Sequence, residues 1–290
     1  MLSVALAVRN EEKNIGDCLH SIQAIADEIV VVDSGSDDRT VEIAKKFDAI
    51  VVHANHDPMF HKQKQLALET CTNDWILQLD ADERVTPALV QQIKDVISGK
   101  TITISNKDQK LFDRHFQAVI KSDPEVSQQN GPVRGYCIPR KNYFLGGYLL
   151  HAGVYPDGVI RLVQKKYAHF PCKSVHEQIQ IDGAVAWLSA PLLHLSDPTF
   201  ARYLDRADRY TTQTAQHWIK SGMCLGILNT VNFMFVKPVV VFLLLFIRHK
   251  GFLDGFRGFV WSLFSGLHYA IAYMKVIEHH LKKDVEKDKT

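Results

Sequence analysis

The sequence predicts an open α/β fold: a mostly parallel sheet covered by helices on both faces, followed by an apolar helical extension. Three observations carry this. Residues 2–8, 28–33, 49–52 and 75–79 are continuous apolar runs, as expected of strands buried on both faces rather than one. Helical patterns separate these runs, so neighbouring strands should pair in parallel through right-handed crossovers. After Ile219 the composition turns strongly apolar, which marks a second kind of structure.

Each element has a local reason. Residues 2–8 (LSVALAV) read as the first strand. A helix is expected over about 12–24, because Ile15, Leu19 and Ile22 fall on one face. EIVVVD at 28–33 gives the second strand, Thr40 to Phe47 a short helix, AIVV at 49–52 the third strand, and 60–71 a further helix. WILQL at 75–79 is the fourth strand and ends at Asp80. The next helix should start at Thr86-Pro87, where Thr caps the free amides and Pro suits the first turn. From Ser98 to Asn130 the chain is polar and turn-rich, and a variable excursion is expected. Short strands and loops should fill 135–195, and a charged helix about 199–219.

Composition narrows the class. The chain has 290 residues, 46% of them apolar, enough for one enlarged domain with an appendage. Net charge is +2 with no basic block in the first half, which argues against a nucleic-acid partner. Five scattered cysteines, none in C-x-x-C spacing, fit neither a disulfide framework nor a zinc site and suit a reducing compartment. MLSVALAV lacks a basic leader and reads as a strand, not a signal peptide.

Ligands of open α/β sheets bind beyond the carboxyl ends of the strands. There the sequence places Arg9 and Glu11 after the first strand, Asp33 at the end of the second, and Asp80-Ala81-Asp82 after the fourth. Two aspartates in D-x-D spacing suit a hard dication, Mg²⁺ or Mn²⁺, that bridges a diphosphate to carboxylate. Asp33 stands where a carboxylate could accept from a ribose or base, and Lys64 and Arg9 offer charge to phosphate. Rival chemistries are missing their motifs: no G-x-G-x-x-G follows the first strand, and neither a P-loop nor G-x-S-x-G occurs. Arg161, in VIRLV, should pair with an acid or a phosphate. His53, His56 and His61 read as solvated loop residues rather than a metal site.

Together, LSVALAVRNEEKNIGDCL, EIVVVDSGSDDRT and NDWILQLDADERV resemble the family 2 glycosyltransferases, which have the GT-A fold. GYCIPRKNYFLGG, GVYPDGVIRLVQK, KSVHEQI and KPVVVF…KGFLDGFRGF are similar to the branch of lipopolysaccharide-core β-1,4-glucosyltransferases. The resemblance implies an inverting hexosyltransferase of the EC 2.4 class. Its donor would be a nucleoside-diphosphate sugar, expected to be UDP-linked, with UDP-glucose among the candidates. The acceptor would be a hydroxyl of a lipid-linked or lipopolysaccharide-type glycan. By position, Asp33 would contact the nucleoside, Asp80 the ribose and diphosphate, and Asp82 the metal, with Glu11 near the nucleotide. Glu177 would be the base that takes the acceptor proton, with His176 beside it; Asp157 and Asp182 are the next carboxylates in line. Where the family has Arg-Asn before the D-x-D strand, this chain has Lys64-Gln65.

The expected organisation is a transferase domain over 1–220, with a nucleotide half 1–97 and an acceptor half 98–220. An apolar helical region over 221–281 and a charged tail over 282–290 follow. The run PVVVFLLLFI at 238–247 is bordered by Lys237, Arg248 and Lys250, and Gly258, Ser262 and Gly266 form a small-residue stripe. An interfacial or shallowly inserted helical hairpin at the cytoplasmic face of the inner membrane is expected, peripheral or monotopic, with oligomerisation through these helices open. The competing reading is a catalytically silent, membrane-associated scaffold that keeps the fold.

Overall fold

The structure is a computed structural model and describes residues 1–122, 131–172 and 178–287. The chain forms two compact units: Met1–Lys141 with Pro156–Leu195, and Asn142–Tyr155 with Ser196–Thr290.

The first unit opens with the expected alternation. Strands β1 (Leu2–Val8), β2 (Glu28–Asp33), β3 (Ile50–His53) and β4 (Trp75–Leu79) alternate with helices α1 (Ile15–Ile22), α2 (Thr40–Lys45) and α3 (His61–Thr70). β2 and β4 flank β1 in parallel, and β3 pairs parallel with β2. The apolar runs of β1, β2 and β4 are buried as their continuity requires: Leu2, Val4, Leu6, Val31, Leu77 and Leu79 are all fully buried in one core; β3 departs from the expectation, because it is the edge strand and leaves Ile50 exposed. Each such side chain contributes roughly 1.5–3 kcal/mol of burial. β5 (Glu83–Val85) leads into α4 (Pro87–Ile97), whose N-cap Thr86 accepts from the Leu89 amide at 3.3 Å. Leu89, Ile93 and Val96 recur at helical spacing and form the buried face of α4.

The segment 98–130 differs from expectation. α5 (Asn106–Ser122) is a 17-residue helix, although its mean composition is polar. Phe112 and Phe116, four residues apart, are buried, and Phe112 meets the Trp187 ring edge-on at 5.0 Å. One apolar row suffices to hold an otherwise hydrophilic helix. Residues 123–130 lie outside the described residues.

Later strands extend the sheet: β6 (Val133–Phe144), β7 (Gly147–Leu149), β8 (Asp157–Gln164), β11 (Ala184–Trp187) and β12 (Leu192–Asp197), while β9 (Ala168–His169) and β10 (Gln180–Ile181) pair with each other in a separate two-stranded sheet. The strand order is β3-β2-β1-β4-β8-β6-β12-β5, with β11 on β6. β8 joins β4 antiparallel, with Leu162 opposite Leu77, and β12 joins β5 antiparallel, with His194 opposite Glu83. The fold is thus an open α/β sheet, parallel in its first half and antiparallel where β8 and β12 join.

In the second unit, the end of β6 forms a hairpin with β7. The helices are α6 (Phe200–Lys220), α7 (Ile227–Arg248) and α8 (Phe256–Lys287). α7 is longer than the ten-residue run suggests. It continues back through Asn232, and two wider π turns, Asn232–Val236 and Leu244–Arg248, lie within it. Lys237 does not interrupt it, because its ammonium rests 4.9 Å from the Phe233 ring and 4.8 Å from the Tyr269 ring. The small-residue stripe lets backbones meet. A Cβ on Gly258 would stand 1.8 Å from the Gly251 carbonyl oxygen, and one on Gly266 would stand 2.4 Å from that of Pro238.

Candidate functional site

The polar edge of the first unit is built from strand ends. Beyond Val8 the backbone turns through Asn10 at φ 55°, a left-handed conformation that Asn tolerates. Asn10 then locks to the next loop: its amide donates to Ser36 Oγ (2.9 Å) and its side chain accepts from the Asp37 amide (3.0 Å). The Glu11 amide donates to Thr40 Oγ1 (2.7 Å), and the Glu11 carboxylate accepts from Asn14 (2.7 Å). A cleft of about 270 Å³ lies along this edge, lined by Arg9, Glu11, Phe60, Lys64, Asp80 and Asp82 among others. Four predicted contacts of the donor and the predicted metal ligand therefore share one surface: Arg9, Glu11, Lys64 and Asp80, with Asp82.

The two aspartates of the D-x-D have different surroundings. Asp80 is held from two sides, by Lys64 at 2.6 Å and Arg161 at 2.5 Å. Burial alone would raise the Asp80 carboxyl; the charges of Arg161 and Lys64 outweigh it and hold the group well below the usual carboxylate range. Burial pushes the Lys64 ammonium down, and Asp80 opposes that shift. Arg161 is not a cleft residue. It reaches from β8 under the D-x-D turn, donating to Gln78, Asp80 and Glu83. Burial disfavours its charge, but Asp80 and Glu83 prevail and raise its pKa. Glu83, fully buried, accepts from the Asp80 amide (3.0 Å) and from Arg161 (2.8 Å), with Arg140 at 3.4 Å. Arg140 continues to Asp157 at 2.7 Å. Lys64, Asp80, Arg161, Glu83, Arg140 and Asp157 thus alternate in sign along one chain of contacts.

Asp82 has a different neighbour. Its carboxylate is 17% exposed and lies 3.5 Å from Nε2 of His194, itself 15% exposed, and both residues line the cleft. Strand register brings them together: His194 pairs opposite Glu83, and the Leu195 amide donates to the Asp82 carbonyl at 2.9 Å. Sequence reasoning missed His194. A histidine in the apolar strand LLHLS gives little signal until the antiparallel pairing of β12 with β5 is known.

Asp33 ends β2 but is not among the residues lining the cleft. It is 2% exposed, and its carboxylate accepts from the Ser36 amide (3.2 Å) and hydroxyl (2.5 Å), with His53 at 3.6 Å. Gln65 braces the loop after β9 by accepting from the Phe170 amide at 2.8 Å. His61 corrects the reading of a solvated loop: it is 4% exposed and stacks on Phe170 at 5.1 Å, because α3 starts there and turns the ring inward. His176 and Glu177 lie outside the described residues.

A divalent metal fits the donor set on chemical grounds. Among the described residues no group of three or more His, Cys, Asp or Glu side chains could hold an ion. Asp82 with His194 offers two ligands on a cleft that also carries Lys64 and Arg9. A hard dication needs no more protein than this when a diphosphate and water complete its shell.

A cleft at the carboxyl edge of parallel strands, carrying a D-x-D and two cations, stands where open α/β enzymes bind their ligands. Residues 3–117 match the family model Glycosyl transferase family 2, and the chain is a glycosyltransferase with a domain of that family. It is 25% identical over 288 residues to the lipopolysaccharide core biosynthesis glycosyltransferase LpsC of Rhizobium meliloti, covering 97% of this chain and 94% of that protein. An uncharacterized glycosyltransferase of Rickettsia typhi is also 25% identical, over 97% of this chain and 88% of its own. Among solved structures, glucosyl-3-phosphoglycerate synthase of Mycobacterium tuberculosis in complex with Mn²⁺ and UDP-glucose is 18% identical. It covers 78% of this chain and 80% of that one, with a TM-score of 0.41.

Proposed function

We propose that this enzyme moves a sugar, with inversion, from a UDP-linked donor to a hydroxyl of a lipid-linked or lipopolysaccharide-core glycan, at the cytoplasmic face of a membrane. The observation that carries the donor side is the cleft lined together by Lys64, Arg9 and the Asp82–His194 pair. The two cations attract the diphosphate. Asp82 and His194 would hold a divalent ion there, which supplies charge neutralisation for the departing nucleoside diphosphate. Lys64 is held near the phosphates by Asp80, and Asp80 is held by Arg161, so the cation is preorganised before the donor arrives. Glu177, on the sequence resemblance, takes the proton from the acceptor hydroxyl. Asp33 shapes the loop against which the nucleoside would lie.

The acceptor class rests on the likeness to LpsC along nearly the whole chain. The membrane role rests on the second unit, where α7 is a 22-residue apolar helix with 6% of its apolar window buried.

The test is calorimetry with UDP in the presence and absence of Mn²⁺, followed by hydrolysis of UDP-, GDP-, CMP- and dTDP-sugars. UDP binding that strengthens with Mn²⁺, and turnover confined to UDP-sugars, are the expected results. Absence of nucleotide binding under both conditions would overturn the reading in favour of a silent scaffold.

A further inference from the structure

α7 is long enough to cross a bilayer, since 22 residues rise about 33 Å. Three features of the second unit say how it meets one. The first is an unbroken apolar row. Ile227, Val231, Phe235, Val239, Leu243 and Ile247 recur every fourth residue, each 44% to 80% exposed. In a regular α-helix such a row drifts by about 40° per step. The two π turns rotate less per residue and offset that drift, so the row keeps to one face.

The second feature is the direction of the one cation inside the apolar stretch. Lys237 turns toward α8, between the rings of Phe233 and Tyr269, which leaves the outward row without charge. Arg248, His249 and Lys250 are exposed at the end of the helix. Asp254, close by in sequence, has a side chain 6% exposed, hydrogen-bonded to His151 and to the amides of Leu150 and His151.

The third feature decides between crossing and lying flat. α8 is flanked over one stretch by both of its neighbours. On one side α7 meets it, with Phe242 against Phe259, Pro238 against Gly266, and Thr230 at 3.1 Å from Tyr273. On the other side α6 meets it, through Tyr203 against Trp261, Thr214 at 3.0 Å from His268, and Asp208 at 2.7 Å from Lys275. α6 carries exposed Arg202, Asp205, Asp208 and Arg209. An α7 set upright across a bilayer would draw these charges into hydrocarbon alongside it, which the membrane interior strongly disfavours.

We infer that α7 lies in the plane of one leaflet, its outward row among the acyl chains and Arg248 and Lys250 among anionic headgroups, with α6 as the wet side of a three-helix layer. The occupant of the apolar face is therefore lipid, and the protein is monotopic. This rests on the proposed membrane role of the second unit; UDP binding is read in parallel, so failure of the docking mode and failure of the transferase reading are distinguishable.

The experiment uses the full chain on phosphatidylethanolamine–phosphatidylglycerol vesicles. Val231→Cys, Val239→Cys and Ile247→Cys, each in a Cys172→Ser, Cys224→Ser background, carry a fluorophore whose depth is read by lipid-borne quenchers. Equal, shallow depths at all three positions are expected. A deep label at 239 between two shallow ones, with 231 and 247 reachable from opposite sides, would overturn the inference. Leu243→Glu, which places charge on an exposed position, should lower the fraction bound to vesicles about tenfold, because binding scales with the apolar surface inserted. Arg248→Ala and Lys250→Ala should each weaken binding about fivefold on the anionic vesicles and little on phosphatidylcholine. Unchanged flotation of Leu243→Glu, or burial of the three labels in a dimer without lipid, would also overturn it.

Discussion

Replacing Arg161 with Met tests whether the alternating chain of charges holds the D-x-D turn. The guanidinium is 7% exposed and donates to Gln78, Asp80 and Glu83. Removing one partner of a buried ion pair costs about 3–5 kcal/mol, because the other charge stays buried. Here the remaining carboxylates are not abandoned. Asp80 keeps Lys64 at 2.6 Å, while Glu83 keeps the Asp80 amide at 3.0 Å and Arg140 at 3.4 Å. The loss should therefore fall at the lower end, about 3 kcal/mol, and Met fills much of the vacated volume. That corresponds to a fall in Tm of roughly 6–12 °C. Urea unfolding monitored by circular dichroism measures it. The companion is Glu83→Gln in the Arg161→Met background. If Glu83 is buried charge that needs Arg161, neutralising it should restore part of the lost stability, and the double-mutant cycle should show coupling of about 0.5–3 kcal/mol. An Arg161→Met variant as stable as the wild type, or two additive substitutions, would refute the reasoning.

Three further outcomes follow from the same geometry. Asp82→Asn should weaken UDP binding when Mn²⁺ is present and leave metal-free binding nearly unchanged by calorimetry; wild-type turnover indifferent to EDTA would remove the metal role. Glu177→Gln should cut turnover by roughly 10²–10⁴-fold with donor affinity preserved, the usual worth of a general base; near-normal turnover would move that role to another carboxylate. The Asp80 carboxyl is held well below its ordinary range, so the folded state favours the anion. Its contribution is complete above the unfolded carboxylate range, near pH 4, and is lost as pH falls below it, so stability should drop on acidification from about pH 5. An acid limb of the same slope in Asp80→Asn would assign the loss to other groups.

How much of this was legible depends on whether a feature is local. β1, β2 and β4 were readable to the residue, because parallel strands buried on both faces leave unbroken apolar runs, and Thr86-Pro87 announced α4. α5 was hidden because its apolar row rests largely on Phe112 and Phe116, spread through a hydrophilic segment. The antiparallel half of the sheet could not be read, since the pairing of β8 with β4 and of β12 with β5 is fixed by contacts between residues far apart in sequence. His194 and the strut role of Arg161 depend on that pairing. α6 read as a charged helix, but which neighbour its buried Tyr203 would pack on, here Trp261 and Phe264, carries no signal in sequence.

The D-x-D spacing itself acquires a reason from this arrangement. Asp80 is the first residue beyond β4, within reach of Arg161 on the neighbouring β8 and Lys64 on α3, so its charge is spent inside the protein. The Glu83 amide closes a tight turn onto the Asp80 carbonyl at 3.0 Å, and Asp82 sits within that turn. Both aspartates line the cleft, but two residues are enough to change the partner, from Lys64 and Arg161 at Asp80 to His194, 3.5 Å away, at Asp82. An aspartate already neutralised by Lys64 and Arg161 offers little to a dication, whereas Asp82 has His194 beside it at 3.5 Å, a residue that could share a metal ion with it. Ligation would then fall to the second aspartate, while the first positions Lys64 for the diphosphate. The motif reads as two carboxylates in sequence, but in the fold one supports a cation of the protein, and on the proposed function the other would receive a metal ion.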